Sequence, residues 1–289
     1  MKKDLAILFG ITGNWAFALA NTLIGLKKHS SELLKKSDIF VYYDTLSLKN
    51  RLALKKIAPV KFIKYKFPYP HILSKIYNLD RFTHMCFACY EGFNLIKNYK
   101  KVLFMDVDIL IQKDISNLFD FQEDIYIGFA EKIILKNFID DIQGYDIDPN
   151  GYSFSTGTFL LNNSLLKFED LAKQCYEKIL EYAPVLKNID QGPIALVLNS
   201  HDIKYKNLDE LYIYEPSKEN WGNAYILHPY LAGKKFWNGI YNKEWEENNI
   251  IWLKLGGVAY DPNWDYARTP DFIRQPRKWV KDLKKRYIT

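Results

Sequence analysis

Short apolar runs alternate with longer segments of helical spacing along the first part of the chain. Four runs predict buried β-strands: Leu5–Phe9, Ile39–Tyr43, Val60–Tyr65 and Lys101–Phe104. Three intervening segments carry apolar residues at helical spacing: Trp15–Leu26, in which Gly25 is a tolerated blemish, Leu48–Ala58 and Phe82–Ile96. Strands and helices that alternate in this way are typical of βαβ units, so the pattern predicts an α/β fold on a mostly parallel sheet.

After Asp108 the alternation of apolar runs and helical segments is less regular. It predicts two further strands and two further helices: Ile125–Phe129, Thr158–Leu161, Leu165–Glu181 and the helix that starts at Asp190 and runs to Leu198. Between them, Lys132–Tyr152 is rich in Asp, Asn and Gly and is predicted to be a surface loop. No repeat or low-complexity linker divides the chain, so we expect one domain, residues 1–240, and a C-terminal extension, residues 241–289.

Charge and cysteine content narrow the function classes. The formal charge of +6, from 40 basic and 34 acidic residues, is mild, and no nucleic-acid module accompanies it, so we expect no nucleic-acid partner. The three cysteines, Cys86, Cys89 and Cys175, lack a second metal-ligand pair and are predicted to be reduced, buried thiols of a cytoplasmic protein. No signal peptide and no apolar stretch long enough to span a bilayer is recognised, which fits that location.

Two carboxylates, Asp106 and Asp108, follow the apolar run that begins at Lys101. On a strand, these two positions lie on the same side, where buried carboxylates repel unless a cation lies between them. Oxygen ligands suit Mg²⁺ or Mn²⁺, and α/β folds bind ligands at the carboxyl ends of parallel strands. The segment therefore predicts a divalent metal site with open positions for substrate phosphates, although the spacing alone also fits the polar cap of a turn.

The same segment, KVLFMDVD from Lys101 to Asp108, resembles the "K-V-L-Y-L-D-x-D" core of glycosyltransferase family 8. Four further segments resemble family motifs in the family's order: Phe87–Ile96, Phe154–Asn162, Asn188–Ile194 and His228–Trp237. The matches extend from Leu5 to Trp237. The resemblance implies a single Rossmann-like nucleotide-binding domain of the GT-A type.

The resemblance also implies site residues. Three would bind Mn²⁺, or Mg²⁺: Asp106, Asp108 and His228. Five would line the uracil and ribose: Gly10, Ile11, Thr12, Asn14 and Trp15. Three would contact the donor sugar: Ser155, Thr156 and Gly157. Two would be catalytic beside the anomeric carbon: Asp190 and Gln191, the latter by stabilising a cationic sugar. Three would hold the diphosphate: Gly233, Lys234 and Lys235, with the choice between the lysines left open.

The implied activity is transfer of a hexose from a UDP-sugar, with UDP-glucose or UDP-galactose favoured, and with retention of anomeric configuration. The implied acceptor is a bacterial surface glycan: lipopolysaccharide, lipooligosaccharide or capsule. Cys89 stands where the family has a helix arginine or lysine, a cation that Arg81 or Lys75 could supply. This departure leaves open a non-catalytic nucleotide-sugar-binding protein. Two smaller departures are Phe236 in place of proline and Gly192 in place of an acid.

Three features of the sequence also fit a second structural interpretation. His228 also fits a surface histidine before a turn, and Asp190 also fits a helix N-cap. The last stretch is basic and carries Trp279, Leu283 and Tyr287 at helical spacing. A basic helix with such a stripe fits peripheral attachment to an anionic membrane surface, and equally a solvated helix that packs on the body of the protein.

Overall fold

A computed structural model describes residues 3–76, 79, 83–127, 151–152, 154–186, 188–201, 203–230 and 233–262 of the 289-residue chain. Nine strands are described: β1 (Leu5–Ile11), β2 (Ser37–Tyr43), β3 (Val60–Lys64), β4 (Lys101–Met105), β5 (Leu110–Ile111), β6 (Ile125–Ile127), β7 (Thr158–Asn162), β8 (Tyr205–Asn207) and β9 (Ile226–Leu227). Seven form the central sheet in the order β3-β2-β1-β4-β7-β6-β8, and β5 pairs separately with β9. The predicted mostly parallel sheet is confirmed: β1, β2, β3 and β4 are mutually parallel, and β7 is antiparallel to β4 and β6.

The α-helices of the described residues are α1 (Ala16–His29), α2 (Ser31–Lys36), α3 (Leu48–Ile57), α4 (Glu91–Leu95), α5 (Leu171–Tyr182), α6 (Gln191–Ser200) and α7 (Lys243–Lys254). Short 3₁₀ helices lie among them, including Gly13–Trp15, Pro70–Lys75 and His84–Tyr90. Helix α3 begins with a side-chain cap, because the Ser47 hydroxyl accepts a hydrogen bond from the Asn50 amide.

Both faces of the sheet are buried, as a parallel sheet requires. Along β1, Ala6 and Leu8 belong to one apolar cluster while Ile7 and Phe9 belong to the other. The first cluster takes its helical residues from the 84–95 segment, α5 and α6, and the second from α1, α2, α3 and α7. The result is a three-layer α/β arrangement whose carboxyl-end edge gathers the ends of β1, β2 and β4.

Several element predictions need correction. The segment predicted as one helix, Phe82–Ile96, is a 3₁₀ helix followed by the short α4, and its Phe82 lies outside the described residues. The segment predicted as the helix Leu165–Glu181 is a 3₁₀ turn, Asn163–Lys167, and then α5, which starts after its cap Asp170. Gly25, interpreted as a tolerated blemish in α1, lies where a β-carbon would meet Ile111 at 3.1–3.2 Å, so glycine permits the close approach of α1 to β5.

The predicted loop Lys132–Tyr152 lies almost entirely outside the described residues, and the basic C-terminal stretch lies entirely outside them. Among the residues that are described, no helix is both long and apolar enough to cross a bilayer.

Candidate metal and nucleotide-sugar site

The chain brings Asp106 and Asp108 to the carboxyl-end edge of the sheet, but not on a strand. Strand β4 ends at Met105, and both aspartates lie in the bend that connects it to β5. The prediction of two carboxylates on one side of a strand is therefore wrong. Beyond the end of β4, the bend brings the two carboxylates into one cluster. The Thr22 hydroxyl of α1 lies 3.3 Å from the carbonyl oxygens of Val107 and Ile109 and holds this bend.

Two strand pairings bring the remaining parts of the cluster to these aspartates. Antiparallel β4 and β7 pair up to Met105 and Thr158, and the Asp106 amide then donates to the Gly157 carbonyl at 2.7 Å. The β5–β9 pairing places Leu227 opposite Leu110, so that His228, the next residue, lies beside the bend. His228 is buried, with 5% of its surface exposed, and its interpretation as a surface histidine is wrong.

Asp106, Asp108 and His228 form a compact donor set. One ligand atom from each lies within 4.8 Å of the others. Nε2 of His228 is 3.4 Å from Oδ1 of Asp108 and 3.7 Å from Oδ2 of Asp106. Adjacent ligands of an octahedral divalent ion lie about 3 Å apart, so small adjustments would let the three donors share one ion. Two carboxylates and one imidazole are a donor set that can bind a divalent metal ion.

Gly157 leaves the space that His228 occupies. A β-carbon on this glycine would lie 2.5 Å from Cε1 of His228 and 3.1 Å from Oδ2 of Asp106. The Nδ1 atom of His228 is buried and finds no hydrogen-bond partner among the described residues. The imidazole is thus oriented by packing and by the two carboxylates that its Nε2 faces.

The electrostatic surroundings shift the pKa values of the two carboxylates in opposite directions. Burial, and then the neighbouring Asp108, raise the pKa of Asp106 to about 8. Burial acts in the same direction on Asp108, but His228 and Lys235 outweigh it and hold the pKa of Asp108 well below its usual range. Asp106 keeps 43% of its side-chain surface accessible, so a solvent-borne ion could reach this carboxyl group. A cation placed there would relieve the repulsion that raises the pKa of Asp106.

Lys235 and Lys234 have different surroundings. The ammonium of Lys235 lies 2.6 Å from Oδ2 of Asp108 and donates to the Pro229 carbonyl at 2.7 Å. Lys234 is exposed, and its stem lies against Gly239. Gly233 is exposed with φ of +61°, a left-handed conformation that glycine adopts without strain. Of the two lysines, Lys235 is the one at the carboxylate cluster.

Asp190 lies at the start of α6, but its side chain makes no capping hydrogen bond. Instead it accepts a hydrogen bond from the Thr156 hydroxyl at 2.8 Å, while the Tyr90 hydroxyl donates to its main-chain carbonyl. Burial raises the pKa of Asp190, and the bond from Thr156 opposes that effect. Next to it, Gln191 is half-buried, with its amide oxygen 3.5 Å from Nδ2 of Asn188. Ser155, half-buried, precedes Thr156 in the same segment.

The predicted nucleotide residues differ in whether they pack tightly, already make a hydrogen bond or keep a donor without a partner. Gly10 and Ile11 belong to β1, and a β-carbon on Gly10 would lie 2.9 Å from the Met85 carbonyl oxygen. Thr12 is buried and donates to Asp44 at 2.6 Å. The amide nitrogen of Asn14 is buried without a hydrogen-bond partner in the described part of the chain, which leaves a donor in this turn.

An aromatic contact links this turn to the lysine segment. The rings of Trp15 and Trp237 meet edge to face at 5.3 Å between centroids. Trp237 is two residues after Lys235. The contact therefore connects the turn that follows β1 with the segment that carries Lys235.

Sequence reasoning missed Asp44, Thr22 and Tyr90 as supporting residues. Asp44 follows β2 at the same sheet edge as Thr12, and an acid at that position of a parallel sheet is a recognisable signal. Thr22 and Tyr90 act through a helix hydroxyl and a distant main-chain carbonyl, for which the sequence carries no spacing signal.

Cys89 is fully buried in the 84–90 helix within the first apolar cluster. Burial, and then Asp190, raise the pKa of its thiol well above the usual value, so it is a neutral group. Cys86 is half-buried and Cys175 is buried, and all three cysteines are free thiols. Of the two cations proposed to compensate, Lys75 is exposed on the 70–75 helix, and Arg81 lies outside the described residues.

Comparisons with known proteins agree with this architecture. The family model described as Glycosyl transferase family 8 matches residues 6–241. The galactosyltransferase LgtC, crystallised with donor and acceptor sugar analogs, superposes with a TM-score of 0.65 at 15% identity, over 91% of this chain and 99% of LgtC. GlyE of Streptococcus pneumoniae TIGR4 gives 0.57 at 16%, over 89% of this chain and 62% of GlyE.

The bifunctional glycosyltransferase WbbM gives a TM-score of 0.59 at 14% identity, over 100% of this chain and 52% of WbbM. At these identities the structures establish the shared fold. No protein of curated function matches the chain in sequence.

Proposed function

The chain belongs to glycosyl transferase family 8 and is a glycosyltransferase, and on that premise we propose that it transfers a hexose from a UDP-sugar to a glycan with retention of anomeric configuration. UDP-glucose and UDP-galactose are the favoured donors. Asp106, Asp108 and His228 would hold the Mn²⁺, or Mg²⁺, that the reaction requires.

One observation carries the proposal: three metal-ligand side chains and the Lys235 ammonium converge at the carboxyl-end edge of the sheet. Breaking a sugar–phosphate bond leaves negative charge on UDP. A bound divalent ion would neutralise part of that charge as a Lewis acid. Lys235, held between Asp108 and the Pro229 carbonyl, would donate to the same diphosphate, and Gly233 would let the chain turn ahead of it.

The sugar-binding side of the proposal rests on the segment from Ser155 to Gly157 and on the start of α6. The hydrogen bond from Thr156 to Asp190 fixes the carboxylate beside the cluster. Asp190 would orient the donor sugar, and the Gln191 amide oxygen would stabilise positive charge as it develops at the anomeric carbon. The side chain of Asn14, with its free amide hydrogens, would bind the uridine together with Thr12 and Trp15.

The acceptor in this proposal is a bacterial surface glycan such as lipopolysaccharide, lipooligosaccharide or capsule. LgtC, whose structure contains donor and acceptor sugar analogs, supports a sugar acceptor in general, and the surface glycan is the finer part of the proposal. We place the reaction on the cytoplasmic face of the membrane, with residues 241–289 as an extension whose basic end attaches to anionic lipid. Helix α7, which lies in the described part of that extension, packs on α1, and its Trp245 and Trp252 are buried in the second apolar cluster.

The buried Cys89 is the observation that favours a second candidate, a non-catalytic nucleotide-sugar-binding protein with a degenerate glycosyltransferase site. A neutral thiol cannot replace a guanidinium beside a phosphate or sugar. Metal-dependent UDP binding without turnover of any donor in a panel would favour this candidate.

The test is calorimetric titration with UDP, with and without Mn²⁺, combined with UDP release from a panel of UDP-sugars. Asp108→Ala is expected to abolish metal-dependent UDP binding, while Asp4→Ala, which removes an exposed carboxylate paired with Lys100, keeps it. An unchanged UDP affinity of Asp108→Ala in Mn²⁺ would reject the metal assignment.

A further inference from the structure

A long segment of the chain carries positive charge alone. Between Asp44 and Asp80 there is no acidic residue, whereas eight cations occur: Lys49, Arg51, Lys55, Lys56, Lys61, Lys64, Lys66 and Lys75. Six of these lysines are exposed on or near α3 and β3: Lys49, Lys55, Lys56, Lys61, Lys64 and Lys66. Among the described ion pairs, Asp38 is the acid that reaches this surface, through Lys61 at 2.7 Å.

The same surface exposes large apolar side chains. Leu48 and Leu52 lie one helical turn apart on α3 and expose 61% and 54% of their surfaces. Between α3 and β3, the edge strand of the sheet, lies a groove of about 430 Å³. Its lining combines the two leucines with cations and edge-strand residues: Leu48, Arg51, Leu52, Lys55, Val60, Lys61 and Phe62.

Arg51 has unused hydrogen-bonding capacity in this groove. One terminal nitrogen donates to the Tyr43 hydroxyl at 3.3 Å, and the guanidinium lies 5.6 Å from the Tyr43 ring centroid. Its Nε is buried and has no hydrogen-bond partner in the described structure. A guanidinium held in this way suits an oxyanion such as a phosphate.

Helix α5, on the opposite layer, provides the contrast. It and the turn before it also expose leucines, Leu180 at 38% and Leu166 at 48%. There, however, the lysines pair with acids of the same helix, Lys173 with Glu177 and Lys178 with Glu181. Exposed leucines beside lysines that, apart from Lys61, have no acidic partner among the described ion pairs therefore distinguish the α3 surface. That combination is the signature of an interfacial helix on anionic lipid.

We propose that the α3–β3 surface docks on an anionic phospholipid bilayer, with Leu48 and Leu52 at the acyl boundary and the surrounding lysines and Arg51 at the headgroup phosphates. Helix α3 starts five residues after β2 ends, at the sheet edge that carries Asp106, Asp108 and His228. Docking through this end holds the mouth of the site close to the membrane. The surface consists of residues other than those of the basic C-terminal stretch, and the proposal stands whether or not the proposed reaction is correct.

The experiment uses the full chain and vesicles of phosphatidylcholine with and without phosphatidylglycerol. Lys49→Gln and Lys55→Gln are combined with Leu48→Ser and Leu52→Ser, all at exposed positions. The matched control combines Lys173→Gln, Lys178→Gln, Leu166→Ser and Leu180→Ser on the opposite layer. Removal of two lysines is expected to weaken partitioning by on the order of 25-fold, and loss of the leucines weakens it further. The control variant keeps the binding of the wild type, and UDP binding checks that both variants fold.

Two further measurements keep the outcome decisive. Wild-type binding falls as salt rises, because surface charges are screened. Hydrogen exchange on vesicles slows across residues 45–66. The proposal is overturned by wild-type indifference to phosphatidylglycerol, by equal binding of the α3 variant and the wild type, or by protection confined to residues 263–289. Binding to a soluble acidic polymer but not to vesicles would overturn it as well.

Discussion

Lys235 places its ammonium 2.6 Å from Oδ2 of Asp108, while the adjacent Lys234 points its exposed stem along Gly239. The two lysines are consecutive, yet one is tied to the carboxylate cluster and the other is not. Their difference supplies a matched pair of variants for the diphosphate assignment.

We expect Lys235→Met to lower kcat by on the order of 100-fold, because it removes a preorganised cation from the leaving diphosphate. Lys234→Met should retain the wild-type rate. UDP release from the best donor in the panel measures both. A larger loss in Lys234→Met than in Lys235→Met would reverse the assignment.

Gly157→Ala tests whether close packing sets the position of His228. The new β-carbon would lie 2.5 Å from Cε1 of the imidazole, so the ring must move away from the two carboxylates. We expect metal-dependent UDP affinity to fall by at least about tenfold, the range that misplaced metal ligands cause. Gly222→Ala is the control, since a β-carbon there meets no heavy atom within 4 Å. Equal affinities for the two variants would show that Gly157 is not needed for the cluster.

The raised pKa of Asp106 predicts a pH dependence of stability in the presence of a chelator. An unfolded chain releases this proton near pH 3.8, whereas the folded protein holds it until about pH 8. Between these values the folded state binds more protons, so its stability falls as pH rises. Asp106→Asn removes this contribution. The melting temperature of the variant should therefore exceed that of the wild type by more at pH 8 than at pH 5, and a gap independent of pH would contradict the prediction.

Hydrogen bonds that link two tyrosine hydroxyls to a glutamate beside the first apolar cluster predict an effect on folding stability alone. The Tyr176 hydroxyl lies 2.8 Å from that of Tyr65 and donates to Glu91 at 2.9 Å. Tyr176→Phe leaves both partners without this bond, which costs about 1–3 kcal/mol in the free energy of unfolding. Tyr241→Phe, at a side chain 80% exposed, should change it by less than about 0.5 kcal/mol. Urea unfolding measures the free energy of unfolding of both variants. A Tyr176→Phe protein as stable as the wild type would show that these hydrogen bonds contribute nothing to stability.

Periodicity predicted the parallel half of the sheet because β1, β2 and β4 are continuous apolar runs, buried on both faces. It did not predict β5 and β9, which have two residues each and carry no periodic signal. The error at Phe82–Ile96 has a related cause, since apolar spacing alone does not distinguish a 3₁₀ helix from an α-helix in a short segment.

The candidate site was predicted from the sequence through the family resemblance more than through spacing. Asp106 and Asp108 can be recognised in the sequence as two carboxylates separated by one residue, but His228 joins them only through the β5–β9 pairing. The distinction between Lys234 and Lys235 needed coordinates, because it depends on which way each side chain leaves the backbone. Family 8 membership and the α/β fold were predicted correctly.

The β5–β9 pairing also fixes when the cluster can exist. A nascent chain that has emerged as far as residue 220 contains both aspartates and most of the central sheet, yet it has neither β9 nor the imidazole that follows it. Assembly of the candidate metal-ligand set must therefore wait until His228 has left the ribosome. The proposed metal affinity consequently requires synthesis to pass β9, and a metal-binding assay on chains arrested before and after His228 would show when that affinity appears.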